Sequence, residues 1–150
     1  MLLTIDVGNT NITLGVFDRE VLKGMFRMTT NKPRTSDEYG FTICGILEHR
    51  SIDPKEIEAV IIASVVPDIM HSLTSGIIKY LDVTPLIVSA QTDTGIRVVT
   101  ENPSRTGPDR IVNAVAGYDI AKGAAIVIDF GTATTYDLVG PDRTLEACII

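Results

Sequence analysis

The sequence has 150 residues, a formal net charge of −6 and 45% hydrophobic residues, which suits one globular domain and is too short for two ordinary ones. An acidic chain without a basic run is a poor candidate for binding nucleic acid or an anionic membrane surface. No apolar stretch approaches the ~20 residues that a bilayer requires.

Two features of the sequence bear on the cellular compartment. Met1–Ile5 is followed at once by Asp6, without the basic start and long apolar run of a secretory signal. Cys44 and Cys148 lack the spacing of a metal site, so we interpret them as buried free thiols in a reducing environment. We therefore expect a cytoplasmic α/β protein with no membrane or nucleic-acid partner.

The chain begins with a predicted antiparallel meander and continues into a helix. Strands joined by tight turns are predicted at Leu2–Val7, Ile12–Phe17 and Val21–Met28. The spacing of Thr35 and Glu38 is that of a capping box and predicts a helix to about Arg50. Asp53 followed by Pro54 predicts the start of a second helix.

Strands and helices alternate along the rest of the chain. Ala59–Val65 is an apolar run rich in β-branched residues, which predicts a strand buried on both faces. A helix Pro67–Leu81, a short strand Pro85–Val88 and a helix over residues 107–122 follow. Gln91–Thr106 lacks periodicity and is predicted to be a loop. This alternation predicts a largely parallel sheet that is entered through the meander.

One motif occurs twice. The segment Ile5–Thr10 recurs as Ile128–Ala133, and each copy ends an apolar strand, carries Asp-x-Gly and turns through small polar residues into another strand. We therefore expect a first lobe at residues 1–123 and the truncated start of a duplicated second lobe at residues 124–150. So short a second unit cannot bury a core of its own, which predicts that the chain is a fragment of a longer protein.

The repeated hairpin has the chemistry of a phosphate site. Backbone N–H groups and short polar side chains around the turn at Gly8 suit phosphate oxygens, and glycine lets the backbone approach the anion. Asp6 and Asp129 fit beside a phosphate only with a cation between them, such as Mg²⁺ held directly or through water. Two such hairpins facing each other could hold a polyphosphate from both sides. The alternative, two ordinary hairpin turns, is less favoured because the whole pattern repeats.

A third element, Gly107–Arg110, lies at a predicted helix start. Asp109 has an ordinary interpretation as a first-turn acid, and Arg110 has one as a solvated surface cation. The functional interpretation is a base followed by a cation that clamps a carboxylate. Beside two phosphate hairpins, we prefer the functional interpretation.

The segments Asp6–Asn11, Ala63–Pro67, Gly107–Ala114 and Asp129–Thr135 together closely resemble the type III pantothenate kinases. These kinases belong to the actin-like superfamily, with acetate and sugar kinases and heat-shock chaperones. The resemblance implies a ribonuclease-H-like α/β fold and a cytoplasmic homodimer. It also implies phosphorylation of pantothenate by ATP to 4′-phosphopantothenate, the first step of coenzyme A biosynthesis.

The resemblance also implies roles for individual residues. Asp109 would be the general base, and Asp129 would help to hold a monovalent cation, K⁺ or NH₄⁺. Asp6 would lie near Mg²⁺ through water. Pantothenate would contact Gly107, Pro108, Asp109 and Arg110. The residues implied to bind ATP are Asp6, Val7, Gly8, Asn9, Thr10, Asn11, Ile12, Thr13 and Thr132.

Two other functions stay open at this point. The chain could be a nucleotide-binding accessory factor in transcriptional activation, or a paralogue that folds without doing chemistry. Asp109 discriminates between them and the kinase, because a pure binding module has no use for a base beside an arginine. If part of the active site lies in the missing second lobe, residues 1–150 alone are expected to be inactive.

Overall fold

The computed structural model describes residues 1–30 and 33–150, which form two compact units, Met1–Ile87 and Val88–Ile150. The first unit contains a five-stranded sheet with two helices. Its elements are β1 (Leu2–Val7), β2 (Asn11–Asp18), β3 (Val21–Thr29), α1 (Ser36–His49), β4 (Ala59–Ser64), α2 (Pro67–Leu81) and β5 (Leu86–Ile87).

The sheet of the first unit has the strand order β3-β2-β1-β4-β5. The meander β1–β2–β3 is antiparallel, and β4 and β5 add in parallel to β1, so the predicted arrangement is confirmed. Alternate residues of β1 and β2 enter the core because successive side chains of a strand point to opposite faces. The buried residues of these two strands include Leu3, Ile5, Val7, Ile12, Leu14 and Val16.

The helices of the first unit confirm the capping signal and pack closely on each other. Thr35 Oγ1 accepts a hydrogen bond from the Glu38 backbone N–H, and Glu38 accepts one from the Thr35 N–H at 2.7 Å.

Where α2 crosses α1, a methyl group added at Gly76 would lie 2.5 Å from Ser36 O and 3.1 Å from Gly40 N. Glycine at this crossing therefore sets the distance between the helices.

Three local predictions are wrong in part. The signal at Asp53 begins only a 3₁₀ turn, Pro54–Glu56, because Ile57 is already extended and the chain enters β4 two residues later. The strand predicted at Pro85–Val88 is only the two residues of β5. The predicted loop Gln91–Thr106 contains a two-residue strand and a 3₁₀ turn.

The second unit contains a four-stranded sheet and one long helix. Its elements are β6 (Arg97–Val98), α3 (Pro108–Ala121), β7 (Ala125–Phe130), β8 (Thr134–Val139) and β9 (Thr144–Ile149). Its sheet has the order β6-β9-β8-β7, in which β6 and β9 are parallel and the other pairs antiparallel. The buried residues Ile111, Ala114, Val139 and Leu145 form its apolar interior.

The boundary between the compact units differs from the predicted lobe boundary after residue 123. Helix α3 groups with the strands that follow it, since Gly117 packs against Val127 and the Tyr118 hydroxyl donates to Pro141 O at 3.0 Å. The division into lobes of a longer protein stays a prediction. Within residues 1–30 and 33–150, no helix is long and apolar enough to cross a bilayer.

The close helix crossing predicts opposite effects of one substitution at two glycines. Gly76→Ala should lower the free energy of unfolding by about 1–3 kcal/mol, because the new methyl group meets backbone that cannot move aside. Gly45→Ala, where a methyl group would meet nothing within 4 Å, should raise it by about 0.5–1 kcal/mol. Denaturant unfolding of both variants measures the difference, and equal effects would contradict the packing.

Candidate functional site

The first predicted phosphate hairpin joins β1 to β2. Asp6 lies opposite Thr13, and the Gly8 N–H donates to Asn11 O at 2.9 Å across the turn. A methyl group at Gly8 would lie 3.2 Å from that same oxygen, so the tight turn favours glycine. The turn therefore brings a carboxylate and a hydroxyl side chain to one end of the two strands.

The predicted ATP-binding residues of this hairpin divide by exposure. Asp6, Asn9, Thr10 and Asn11 are exposed, and Gly8 and Thr13 are half-buried. The side chains of Val7 and Ile12 are completely buried in the core. A ligand at this turn can therefore meet side chains of the exposed residues, whereas Val7 and Ile12 can offer backbone alone.

Thr30, at the end of β3, braces the turn and was not predicted. Its hydroxyl donates to Gly8 O at 2.7 Å, and its N–H donates to Thr10 O at 2.9 Å. On the other side of β1, Val65 N–H donates to Val7 O at 3.1 Å. The turn is therefore fixed from both neighbouring strands, which favours a preorganised anion site. The end of β4, in the segment Ala63–Pro67, lies at this edge because it runs parallel to β1.

The second predicted hairpin joins β7 to β8 and is one residue shorter than the first. Three residues separate the pair Phe130 and Thr134, whereas four separate Val7 and Ile12. The Gly131 N–H donates to Ala133 O at 3.2 Å. The duplication therefore preserves the strand-turn-strand plan but not the hydrogen-bond pattern of the turn.

Polar groups surround the carboxylate of the second hairpin. Asp129 is exposed and lies opposite Thr135, and Asn113 Nδ2 from α3 lies 3.5 Å from Asp129 Oδ2. Thr132 is exposed at the turn. Carboxylate, hydroxyl and amide oxygens are the ligand types that hard cations prefer. Among the described residues, no three His, Cys, Asp or Glu side chains come together as a metal cluster.

Helix α3 begins as predicted at Gly107, with Pro108 as its first helical residue. Its N-cap residue, Gly107, has no side chain that could cap the helix, and Asp109 is in the first turn. Asp109 Oδ1 is shielded from solvent and accepts no hydrogen bond from any residue that the structure describes. An acid in the first turn also interacts favourably with the helix dipole without accepting a backbone N–H bond, so the ordinary interpretation of Asp109 stays open beside the functional one.

Arg110 is buried, so the alternative of a solvated surface cation is wrong. Its Nη1 donates to Asp137 Oδ1 at 2.6 Å and to Ile149 O at 3.3 Å. The side chains of Arg110 and Asp137 are 8% and 0% exposed. Sequence reasoning missed Asp137, because its pairing with Arg110 arises only when α3 packs on β8.

Cys148 completes the polar interior around this ion pair. It lies opposite Asp137 in the β8–β9 register and is half-buried. Burial raises the pKa of the Cys148 thiol from its ordinary value of 9.0 to about 12, and the neighbouring Asp137 carboxylate raises it in the same direction. Cys44 and Cys148 are both free, as predicted, but they are half-buried and not fully buried.

Comparison with known proteins identifies the family that this chain resembles. The family model for type III pantothenate kinase matches residues 2–150. A curated type III pantothenate kinase from Agathobacter rectalis is 55% identical over 144 residues, which are 96% of this chain and 55% of that relative. The chain thus spans about half the length of the curated relative it matches.

Solved structures with low sequence identity share the fold. A proposed N-acetylglucosamine kinase from Porphyromonas gingivalis is 17% identical, with a TM-score of 0.57 over 99% of this chain and 47% of that protein. A proposed 2-dehydro-3-deoxygalactonokinase from Sinorhizobium meliloti is 14% identical, with a TM-score of 0.58 over 99% of this chain and 52% of that protein. The predicted α/β fold of the actin-like and sugar kinase group is confirmed.

The environment of Cys148 predicts slow alkylation in the folded protein. A pKa of about 12 leaves the thiol protonated at pH 8, and only the thiolate reacts. Iodoacetamide at pH 8 should label Cys148 at least about a hundredfold more slowly in the folded protein than after unfolding in guanidinium. Mass spectrometry of the two samples measures the rates, and equally fast labelling would contradict the buried environment.

Proposed function

The chain belongs to the type III pantothenate kinase family, and we propose that the natural protein carrying it phosphorylates pantothenate with ATP. The product would be 4′-phosphopantothenate, in the first step of coenzyme A biosynthesis. The observation that carries this proposal is the start of α3, where Asp109 has an unpartnered buried oxygen directly beside a buried arginine. A primary hydroxyl needs such a base, and a substrate carboxylate needs such a cation.

Asp109 would act as the general base. The hydroxyl oxygen of pantothenate attacks the γ-phosphorus of ATP, its proton passes to Asp109 Oδ1, and the bond from phosphorus to the bridging oxygen breaks to release ADP. Asp109 Oδ1 has no hydrogen bond to lose within the described chain, so a rotation of the side chain that exposes it would let it accept one from the substrate hydroxyl. Phosphoryl transfer otherwise requires alignment and neutralisation of charge.

The phosphates of ATP would be bound by the turn residues of each hairpin. Gly8, Asn9, Thr10 and Asn11 would contribute from the first hairpin and Thr132 from the second. These residues support the proposal because each is exposed or half-buried at a glycine turn. The first turn is also held by hydrogen bonds from Thr30.

The two cations would be held by different carboxylates. Mg²⁺ supplies charge neutralisation on the phosphates when bound, and Asp6 would hold it through water. Asp129, with Asn113 beside it, would hold K⁺ or NH₄⁺. Single carboxylates fit this assignment, since Mg²⁺ is usually bound by one or two carboxylates together with substrate phosphates and water.

The binding-module alternatives account for the hairpins but not for α3. A nucleotide-binding accessory factor or a non-catalytic paralogue would use the same turns, yet neither needs an unpartnered carboxylate oxygen beside Arg110. The kinase is therefore the preferred function. Cytoplasmic location, a homodimer and inactivity of residues 1–150 alone belong to the same proposal and rest on the family resemblance.

The assignment of Asp109 predicts a loss of turnover without a loss of nucleotide binding. In the natural protein, Asp109→Asn keeps the size of the side chain and removes the proton acceptor, so kcat should fall by ~10²–10⁴ while ATP affinity persists. Asp119→Asn, at the exposed end of the same helix, is the matched control and should leave kcat unchanged. Steady-state kinetics with calorimetric ATP binding measures both effects.

A near-normal kcat for a folded Asp109→Asn variant would contradict the catalytic assignment. It would leave Asp109 as an ordinary first-turn acid, a position at which asparagine is also tolerated, and would place the general base elsewhere.

Substitution of the two hairpin carboxylates should change the dependence of activity on two different cations. Asp6→Asn should weaken engagement of Mg²⁺ and ATP while keeping activation by potassium. Asp129→Asn should chiefly reduce activation by potassium, since it removes the carboxylate that faces Asn113. Titrating activity against potassium and against Mg²⁺ in both variants tests the division, and a normal potassium response of Asp129→Asn would show the assignment to be wrong.

A further inference from the structure

We propose that Asp137 is a positioning residue for the acceptor substrate: its buried ion pair with Arg110 leaves only the Nε–Nη2 edge of the guanidinium to bind the substrate carboxylate. This inference rests on the proposed function and deepens it. It assigns a role to a residue in β8 that lies outside the predicted set of site residues. It also limits the guanidinium of Arg110 to one orientation, in which a single edge can bind the substrate carboxylate.

The hydrogen bonds of Arg110 define which edge remains. Nη1 carries two hydrogens, and they are directed to Asp137 Oδ1 at 2.6 Å and Ile149 O at 3.3 Å. Within the described chain both side-chain hydrogen bonds of Arg110 come from Nη1, and 8% of the side chain stays exposed. A planar carboxylate can accept two parallel bonds from this Nε–Nη2 edge. The geometry points to a two-point contact on the side opposite the ion pair.

Asp137 is well placed to fix that edge. It lies on the inner side of β8 with Val139, whereas its neighbours Tyr136 and Leu138 are exposed. The same strand begins directly after the turn that contains Thr132. A side chain on a strand is held more firmly than one on a loop, so β8 would position the guanidinium and the second hairpin together.

A purely structural role does not explain the pair well. Replacing a buried ion pair with apolar side chains is often neutral or stabilising, and the surrounding interior already consists of residues such as Ile111 and Val139. Asp137 Oδ2 is buried, accepts no N–H or O–H hydrogen bond from any described residue, and has the Cys148 thiol, a weak donor, beside it. A buried carboxylate oxygen with so weak a donor is unfavourable for folding. The charge is therefore better explained by what it does to Arg110 than by stability.

The test compares two variants of Asp137 in the full-length natural protein. Asp137→Asn removes the charge, so the guanidinium of Arg110 can turn away. Asp137→Glu keeps the charge but has one more methylene group, which shifts the carboxylate and the Nη1 of Arg110 bound to it. The KM for pantothenate should rise at least about tenfold in Asp137→Asn, with the KM for ATP within twofold of the parent value and a smaller change in kcat. Asp137→Glu should give an intermediate KM.

The matched control is Asp142→Asn. Asp142 forms the exposed ion pair with Arg97 in the same unit, at 3.2 Å, and its loss should leave both KM values unchanged. A folded Asp137→Asn variant with an unchanged KM for pantothenate would overturn the proposal. If Asp137→Asn does not fold, Asp137→Glu decides in the same way: a raised KM supports positioning, and an unchanged KM overturns it.

A second readout separates this inference from the proposed function. In ¹⁵N-labelled protein, Arg110 fixed by Asp137 should give a sharp Nε–H signal, and Asp137→Asn should broaden it, whether or not the protein phosphorylates pantothenate. A sharp signal in the parent with no pantothenate-dependent ATP consumption would contradict the proposed kinase and leave the fixed edge intact. An equally sharp signal in Asp137→Asn would overturn the positioning role itself.

Discussion

The buried ion pair between Arg110 and Asp137 is the interaction on which the candidate active site depends. Neither charge can leave its partner without a large penalty, because an unpaired charge in the interior is far more costly than a paired one. The pair therefore ties the first turn of α3 to the middle of β8. Asp109 precedes Arg110 in that turn, so the same contact constrains where its carboxylate lies.

The two glycine turns are held in place by hydrogen bonds and neighbouring polar side chains, not by a buried ion pair. Each ends a strand with a carboxylate and then exposes short polar residues, but the first is braced by Thr30 and the second lies beside Asn113 of α3. The shorter second turn shows that the repeated sequence does not imply identical hydrogen bonds. Different ligand contacts from the two hairpins are therefore expected.

Patterns confined to neighbouring residues were predictable. The capping box at Thr35, the alternation along β1 and the glycine–proline start of α3 are confirmed, because each depends on a few adjacent residues. The signal at Asp53 failed because its cap and proline are genuine but only three helical residues follow before the next strand. A capping residue followed by proline indicates where a helix begins and does not determine how long the helix is.

Contacts between distant segments were not predictable. Asp137 is an ordinary polar residue of a strand until α3 places Arg110 against it, and Thr30 has no local signal for its bonds to the first turn. Both depend on sheet register and helix packing, which a single sequence does not specify residue by residue. The residues that hold the site were therefore harder to find than those expected to contact the ligands.

A crystal structure of the natural protein with pantothenate and a non-hydrolysable ATP analogue would test the central claim most directly. We expect the substrate carboxylate on Nε and Nη2 of Arg110, with Nη1 still on Asp137, and the substrate hydroxyl within hydrogen-bond distance of Asp109 Oδ1. Pantothenate bound away from the start of α3, or Asp109 Oδ1 directed away from the hydroxyl, would contradict it.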